Sequence, residues 1–355
     1  MGRTKESPVS KKLIIRFLNV GQGDSTHLIL PNGEHMLIDV NLDHKNRGID
    51  VIQYLADELP KGADKRELAY NVNTHPHDDH IRGTGALGHD FEIGEMWHSG
   101  HELDCDEGEN PEYDKYRAVV EDLGDKAVVV YASSDVWHEV DGVSFHVFRP
   151  SRTVKVKKSD ADKGAAVHDE CIVLKVSYAG VSVMFTGDSS KAAWESIMKH
   201  YNKDGLLKAQ VLHASHHGSR TFFKKKAEDD DEYTAHLDAI GPESLVISVG
   251  AKNEHKHPHP DALKLYQKRI STSKTYRTDV NHTVELTIDE AGHMTWSEMG
   301  TAFQKEYELP DPETDSDDSD RGAGRRAVAA SAAIVSKTRL GTRVPRRNAR
   351  AQESR

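Results

Sequence analysis

Cysteine, aromatic residues and long apolar runs are all scarce in this chain. Its 355 residues include 2 cysteines, Cys105 and Cys171. Two thiols so far apart cannot build the disulfide framework of a small secreted domain, and they fit a reducing compartment. The expected localisation is therefore cytoplasmic. Aromatic residues make up 6% and apolar residues 36%, against 30% charged, so part of the chain is expected to lie outside any core. No stretch approaches the roughly 20 apolar residues of a membrane span. The N-terminus is polar and has no apolar core of a secretory signal, so none is expected. The net charge of −11 makes the chain no obvious polyanion binder, although overall charge does not describe a local patch. What the chain has in excess is histidine, with 22.

Composition changes sharply near residue 303. Residues 311–320 carry six acids, and residues 321–355 carry ten basic residues with one acid, Glu353. An acidic block followed by a basic arm reads as a disordered tail, either a solvated extension or an arm that docks a nucleic acid or a protein. The expected organisation is a domain over 1–302 and a tail over 303–355. From residue 311 onward the charge is +3, which leaves about −14 on the first 310 residues.

Within the body, strand and helix signals alternate. Period-2 or short apolar runs at 13–20, 25–30, 34–40, 68–74, 127–131, 137–140, 143–148, 172–178, 181–186, 206–213, 245–249, 283–288 and 293–296 read as strands. Several are joined by hairpin turns, such as Asp141-Gly142 and Ala179-Gly180. Helical spacing marks 49–59, 192–201 and 261–270. Two halves, each with several strands and helices, predict an α+β sandwich of two sheets covered by helices.

The strongest local signal is Thr74-His75-Pro76-His77-Asp78-Asp79-His80, an H-x-H-x-D-H array. Chance would place about 0.01 such arrays in a chain of this composition. Pro76 biases His75 towards an extended conformation, and alternation along an extended segment then turns His75 and His77 to one side. Asp79 and His80 follow the turn and can face a second position. Imidazole and carboxylate suit zinc, with other first-row metals as alternatives. Further donors sit at strand ends. Asp188 ends Phe185-Thr186-Gly187-Asp188, where a carboxylate could bridge two metals. His213, His216 and His217 cluster around 213–217, His255, His257 and His259 around 255–259, and His168 precedes the strand at 172–178. Two metals need roughly eight to ten donors, some of them water, so not all of these serve. His89, His236 and His293 read as ordinary surface residues. Cys105 and Cys171 read most simply as structural or unpaired thiols.

The order H-x-H-x-D-H, then T-G-D, then a later His resembles the metallo-β-lactamase superfamily. A finer resemblance is to the hydrolase domain of the ComEC competence proteins. It rests on Asn19-Val20-Gly21-Gln22-Gly23-Asp24, on Phe185-Thr186-Gly187-Asp188 and on His216-His217-Gly218-Ser219. It rests also on Ile247-Ser248-Val249-Gly250 with His257-Pro258, and on Tyr276-Arg277-Thr278-Asp279. The resemblance implies a metallo-β-lactamase-like αβ/βα sandwich of two mixed β-sheets flanked by helices, with the metals at one edge of both sheets. It implies His75, His77, Asp79, His80 and Asp188 as ligands, with His257 and one of His216 and His217, preferably His216. The chain departs from it in three ways. His168 stands where ComEC-like domains more often have Asn and where many other superfamily members have a metal-binding His. His282 stands where Gly is commoner. The membrane channel of the competence proteins is absent.

Two divalent ions, zinc first and manganese as the alternative, are the implied cofactors. In that setting Asp188 would bridge the metals, Asp79 would bind the second metal and orient the nucleophile, and a spare histidine such as His217 or His213 would protonate the leaving group. Ser219, Arg220, Lys252 and Asn253 lie in the adjoining loops and are the expected phosphate contacts. The leading reading is a phosphodiesterase or nuclease acting on a phosphoester, with DNA or RNA as candidate substrates. Two others compete with it: a hydrolase of small phosphoesters, lactones or thioesters, which the acidic body favours, and a non-catalytic binding module.

Overall fold

The first strand of the protein alternates between two environments, and that alternation sets the layering. The computed structural model describes residues 11–62, 64–103, 105–151 and 167–310. In β1 (Lys12–Phe17), Leu13, Ile15 and Phe17 point into a core between two sheets. Arg16, on the opposite face, reaches Glu58 and Glu285. A period-2 strand with one face buried this way has only one viable register.

The first sheet holds β2 (Thr26–Ile29), β3 (His35–Ile38), β4 (Arg66–Asn73), β5 (Phe91–His98) and β6 (Ala127–Val129) beside β1. The chain then builds the second sheet from β7 (His138–Val140), β8 (Val143–Arg149), β9 (Val173–Tyr178), β10 (Val181–Phe185), β11 (Val211–His213), β12 (Ser244–Ile247) and β13 (Thr275–Arg277). It returns to the first sheet through β14 (Val284–Asp289) and β15 (Met294–Glu298). The strand orders are β15-β14-β1-β2-β3-β4-β5-β6 and β13-β12-β11-β10-β9-β8-β7. Each sheet is antiparallel at one side and parallel at the other: β3, β4, β5 and β6 run parallel, as do β10, β11, β12 and β13. This is the α+β arrangement of two mixed sheets that the sequence predicts.

Helices cover both outer faces. On the first sheet α1 (Val51–Glu58), α3 (Thr84–Asp90) and α4 (Pro111–Leu123) bury Val51, Tyr54, Leu55, Leu87, Tyr113 and Tyr116. The short α2 (Asp78–Ile81) precedes α3. On the second sheet α5 (Lys191–Tyr201), α6 (Ala235–Ile240) and α7 (Pro260–Gln267) bury Trp194, Ile197, Leu237, Leu265 and Tyr266. Full burial of each such side chain is worth about 1.5–3 kcal/mol, so the two outer cores hold the helices in place. A single turn, α8 (Thr278–Asn281), follows β13.

Three features differ from the sequence reading. The strand Phe91–His98 and the helix Pro111–Leu123 are not among the expected elements. Glu92, Gly94 and Glu95 interrupt the first pattern, and the second helix carries six charged residues among thirteen and is held by the Asn110 cap and two buried tyrosines. The domain boundary expected at 302 falls inside α9 (Gly300–Tyr307), whose Tyr307 packs against Tyr54. Leu309 is also buried, so the folded body continues past 303. The rest of the expected tail, 311–355, lies outside the described residues. His236, expected at the surface, is fully buried among Trp194, Phe222, Phe223 and Tyr233. Burial pushes its pKa down to about 3. His282 adopts φ 59 and ψ −149, a region that is essentially glycine's. That is the physical reason a glycine suits the position.

Candidate metal centre

Parallel strands of one sheet end at the same edge, and the chemistry-bearing residues follow those ends. Asp39 follows β3, Thr74 and His75 follow β4, Asp188 follows β10, His213 ends β11 and Ser248 follows β12. Beyond Pro76 the chain is extended at His77 and then turns into α2, which carries Asp79 and His80. The loop after β11 takes an unusual path. His216 has φ 50 and ψ 49, and His217 has φ 54 and ψ 29. Two successive non-glycine residues in the left-handed region cost of the order of 1–3 kcal/mol each. Gly218 completes the bend at φ 81, and a Cβ there would lie 2.6 Å from the Pro258 Cβ, so only glycine fits. The strained path points the Nε2 atoms of both histidines at Asp188.

Asp188 is the centre of the arrangement, and its two oxygens serve different groups. Oδ2 lies 3.7 Å from His75 Nε2, 3.6 Å from His168 Nε2 and 3.5 Å from His216 Nε2. Oδ1 lies 3.2 Å from His80 Nε2 and 3.8 Å from His217 Nε2. On the Oδ2 side the three imidazoles of His75, His77 and His168 converge: His77 Nδ1 is 3.0 Å from His75 Nε2 and 2.9 Å from His168 Nε2. On the Oδ1 side Asp24, His80, Asp188 and His217 present ligand atoms within 4.8 Å of one another. Asp79 flanks that second set, with Oδ2 3.2 Å from His217 Nε2 and Oδ1 3.9 Å from His80 Nε2.

A shell of neighbours aims the rings. His80 donates from Nδ1 to Asp39 Oδ2 at 2.7 Å, and Asp39 is itself held by the Thr74 N–H and hydroxyl, both at 2.7 Å. His217 donates from Nδ1 to the Ser248 carbonyl at 3.0 Å. The His216 Nδ1 lies 3.1 Å from Thr221 Oγ1. Fixing Nδ1 in this way leaves Nε2 facing the centre, as in metal-ligating histidines.

Electrostatics tests whether a cation fits. His80 Nε2, His217 Nε2, Asp188 Oδ1 and Asp24 Oδ1 are buried and have no hydrogen-bond partner among the described residues. Folded proteins leave few such atoms, and four facing one another match a positive ion. Protons show the same demand. Burial opposes the charge on His217, yet Asp188, Asp24 and Asp79 raise its pKa to about 9. Burial likewise opposes His80, and Asp188 and Asp39 hold it well above the usual range. Asp188 is pushed up by burial but held far below the usual carboxylate range by His216, His80 and His217. The opposite holds on the other side, where burial pushes His168 down to about 3 and also lowers His75 and His77. Those are neutral imidazoles with lone pairs available to a metal. The donors fit divalent cations.

The sequence-predicted residues divide as follows. His75, His77, His80, His168, Asp188, His216 and Asp79 are brought together. His217, expected as a free acid, instead turns its Nε2 into the second donor set. His257 lies beside the pair, its ring centroid 5.3 Å from His216 and 6.1 Å from His217, outside the converging sets. The expected phosphate contacts are largely engaged elsewhere. Arg220 forms a forked pair with Asp261, which Lys224 also approaches at 3.2 Å. Asn253 spans its own loop, donating to the Gly250 and His257 carbonyls at 2.8 Å. Buried Ser219 accepts from the Thr221 N–H at 3.4 Å. Lys252, with Asn253 beside it, lines a polar cavity of about 330 Å³ that opens beside Asp79. Cys171 is buried, and its thiol donates to the Thr186 carbonyl at 3.6 Å.

Asp24 and Asp39 are the functional residues that sequence reasoning did not single out. The signal for Asp24 is the glycine turn before it: a Cβ on Gly23 would lie 2.4 Å from the Asp79 carbonyl, and Asp24 N–H donates to that same carbonyl at 3.1 Å. Asp39 has φ 55 at a strand end, which no spacing reveals.

No family model matches the chain, and no curated protein matches it. Among solved structures it is similar to the metallo-β-lactamase fold protein YhfI from Bacillus subtilis, at 13% identity over 81% of this chain and 100% of that one, with a TM-score of 0.44. It is also similar to CmlA, a diiron β-hydroxylase from Streptomyces venezuelae, at 11% identity over 80% of this chain and 55% of that one, with a TM-score of 0.45. A third is Zn2+-bound PqqB from Methylobacterium extorquens, at 11% identity over 72% of this chain and 85% of that one, with a TM-score of 0.43. These likenesses carry no activity across. The fold itself is an α+β arrangement of two mixed sheets flanked by helices, with a His/Asp cluster at one edge, as the sequence predicts.

Proposed function

We propose that the protein is a metal-dependent hydrolase of phosphoesters, with a phosphodiester as the best match. The observation that carries this reading is Asp188, each of whose oxygens faces a separate donor set. His75, His77, His168 and His216 would hold one divalent ion with Oδ2; Asp24, Asp79, His80 and His217 would hold a second with Oδ1. Zinc is the expected metal, and manganese is the alternative. When bound, such ions supply Lewis acidity and lower the pKa of water towards 7.

The chain's own contribution is placement. Asp39 and the Ser248 carbonyl lock the rings of His80 and His217, so the donors need no reordering. Asp79 lies on the rim and is half-exposed, where it can accept a proton hydrogen bond from an approaching nucleophile. The cavity beside it carries Lys45, Arg82 and Lys252 together with four carboxylates, Asp43, Asp78, Asp79 and Glu254, and the three cations, which form no ion pair among the described residues, are available to an anionic substrate. Its volume sits at the low end for small-ligand sites. The acidic body repels long polyanions, so a small phosphodiester or a strand end suits it better than duplex. A nuclease acting on DNA or RNA is the second reading, favoured by the ComEC-like motifs. No helix among the described residues is long and apolar enough to cross a membrane. Both thiols are free, which suits the cytoplasm. Docking of a nucleic acid or protein by the C-terminal arm belongs to the same proposal and concerns residues outside those described.

The test is metal analysis of the purified protein followed by a substrate panel of bis-p-nitrophenyl phosphate, single-stranded DNA, RNA and a lactone. Metal-dependent release of p-nitrophenol is expected. Hydrolysis of the lactone alone would overturn the phosphoester reading. A protein that takes up no metal and cleaves nothing would be a binding module.

A further inference from the structure

The cavity beside Asp79 is lined by three cations, Lys45, Arg82 and Lys252, and by four carboxylates, Asp43, Asp78, Asp79 and Glu254, yet among the described residues none of these cations forms an ion pair. Its walls come from four segments: the loop after β1 with Gln22, the one after β3 with Asp43 and Lys45, the end of α2 with Arg82, and the loop after β12 with Lys252 and Glu254. Most buried or half-buried cations of the protein are paired with carboxylates, and of the three in this cavity Arg82 is half-buried while Lys45 and Lys252 are exposed. Arg16 reaches Glu58 and Glu285, Arg149 reaches Glu170, and Arg220 with Lys224 reaches Asp261. Among the described residues Lys45, Arg82 and Lys252 make no ion pair. Arg82 donates once, from Nη1 to the neutral Asn41 Oδ1 at 2.9 Å, which leaves most of its guanidinium fork unused.

The acids of the cavity keep their charge, but their oxygens are turned to other donors and not to these cations. Asp43 has both oxygens committed: Oδ2 accepts from the Gln22 N–H and Asn46 Nδ2, and Oδ1 from the Lys45 and Asn46 N–H groups. Asp78 accepts from Asn110 Nδ2 at 2.8 Å. Asp79 faces His217 and His80. Glu254 is exposed at the rim. The walls are also fixed before anything binds. Asp43 pins the Lys45 loop, Asn253 spans the Lys252 loop, and the Gly250 N–H donates to Gln22 Oε1 at 3.3 Å, tying two of the walls together.

We propose that this cavity is a subsite for a second, non-reacting phosphate of the substrate, held by Lys45, Arg82 and Lys252. The inference rests on the phosphoester reading above and narrows it to substrates with two phosphates on neighbouring positions. One phosphate lies at the metal centre and the other beyond Asp79, which lines both the cavity and the centre. Arginine supplies the forked donors that match phosphate oxygens, and the lysines supply point charge. About 330 Å³ admits a nucleotide-sized fragment and excludes a duplex.

The probes are thymidine 3′,5′-bisphosphate and thymidine 5′-monophosphate, titrated calorimetrically into the full-length metal-loaded protein, into Lys45→Ala/Lys252→Ala and into Arg82→Gln. The native protein is expected to prefer the bisphosphate by about tenfold or more. Both variants are expected to lose most of that preference. Lys45 and Lys252 are exposed, so the double variant does not test folding, and circular dichroism verifies Arg82→Gln. Absence of a preference in the native protein, or a preference that survives in the double variant, overturns the subsite and leaves the hydrolase reading intact. Binding with preference but no hydrolysis of any phosphodiester supports the subsite and removes the proposed activity.

Discussion

The two halves of the candidate centre share Asp188 and little else. The Oδ2 half is built from neutral imidazoles, those of His75, His77, His168 and His216, which burial keeps deprotonated. The Oδ1 half is rich in carboxylates, with Asp24, Asp39 and Asp79 around His80 and His217, and there the histidines take up protons. A nitrogen-rich set suits a borderline metal such as zinc, and an oxygen-rich set tolerates harder ions such as manganese. Bracing differs as well. Asp39, Thr74 and the Ser248 carbonyl clamp the Oδ1 half from within the sheets, whereas His168 comes from a short turn before β9. The difference teaches that one fold edge can present two unlike sites and that they should fail separately.

The strongest way to break this comparison is Asp188→Ala, which removes the one group common to both halves. Activity is expected to fall by about a thousandfold or more, with metal content measured by mass spectrometry dropping in the same sample. A variant that keeps both metals and near-native turnover would sink the shared-carboxylate arrangement. Asp79→Ala should act on the Oδ1 half alone. Turnover is expected to fall by about a hundredfold while the Oδ2 half keeps its metal; retained activity would remove Asp79 from the mechanism.

Asp39→Asn sharpens the comparison, because Asp39 touches the His80 ring directly and reaches His75 only through the Thr74 hydroxyl. Loss of such a partner typically weakens metal affinity by about 10–100-fold, and competition with a chelator should show this for one metal of two. Equal weakening of both would mean that the halves are coupled. His168→Asn is the mirror experiment and places the residue of ComEC-like domains at this position. Zinc affinity of the Oδ2 half should drop by about tenfold with the other half unaffected. The smallest effect is expected from ending the chain after Pro310: metal content unchanged and melting temperature within about 2 °C. A larger drop would show that the removed segment packs on the body.

Much of this was legible in the linear chain. The spacing of His75 and His77 around Pro76 does bring their ring nitrogens within 3.0 Å, because an extended backbone alternates and the proline enforces it. Asp79 and His80 do face the second half, although they do so on a helical turn. The strand at 91–98 was hidden because its parallel neighbours, not its own alternation, define it. His236 looked like a surface residue because nothing local shows that four aromatic side chains from distant segments enclose it. Arg220 looked like a phosphate clamp because its partner, Asp261, is 41 positions away.

Local chemistry and spacing were therefore sufficient for the donor types, the alternation of strands and helices, and the layered α+β fold. These properties depend on residues within a few positions of one another. Which carboxylates complete each half, which histidine nitrogen faces which oxygen of Asp188, and which cations remain unpaired were decided only by the tertiary structure. Asp39, Asp188 and His217 meet because parallel strands of two packed sheets end at the same edge, and Asp24 joins them from the turn before the antiparallel β2. Neighbours brought there from distant segments hold the charges on His217 and Asp188 against the cost of burial, and that property belongs to no residue by itself.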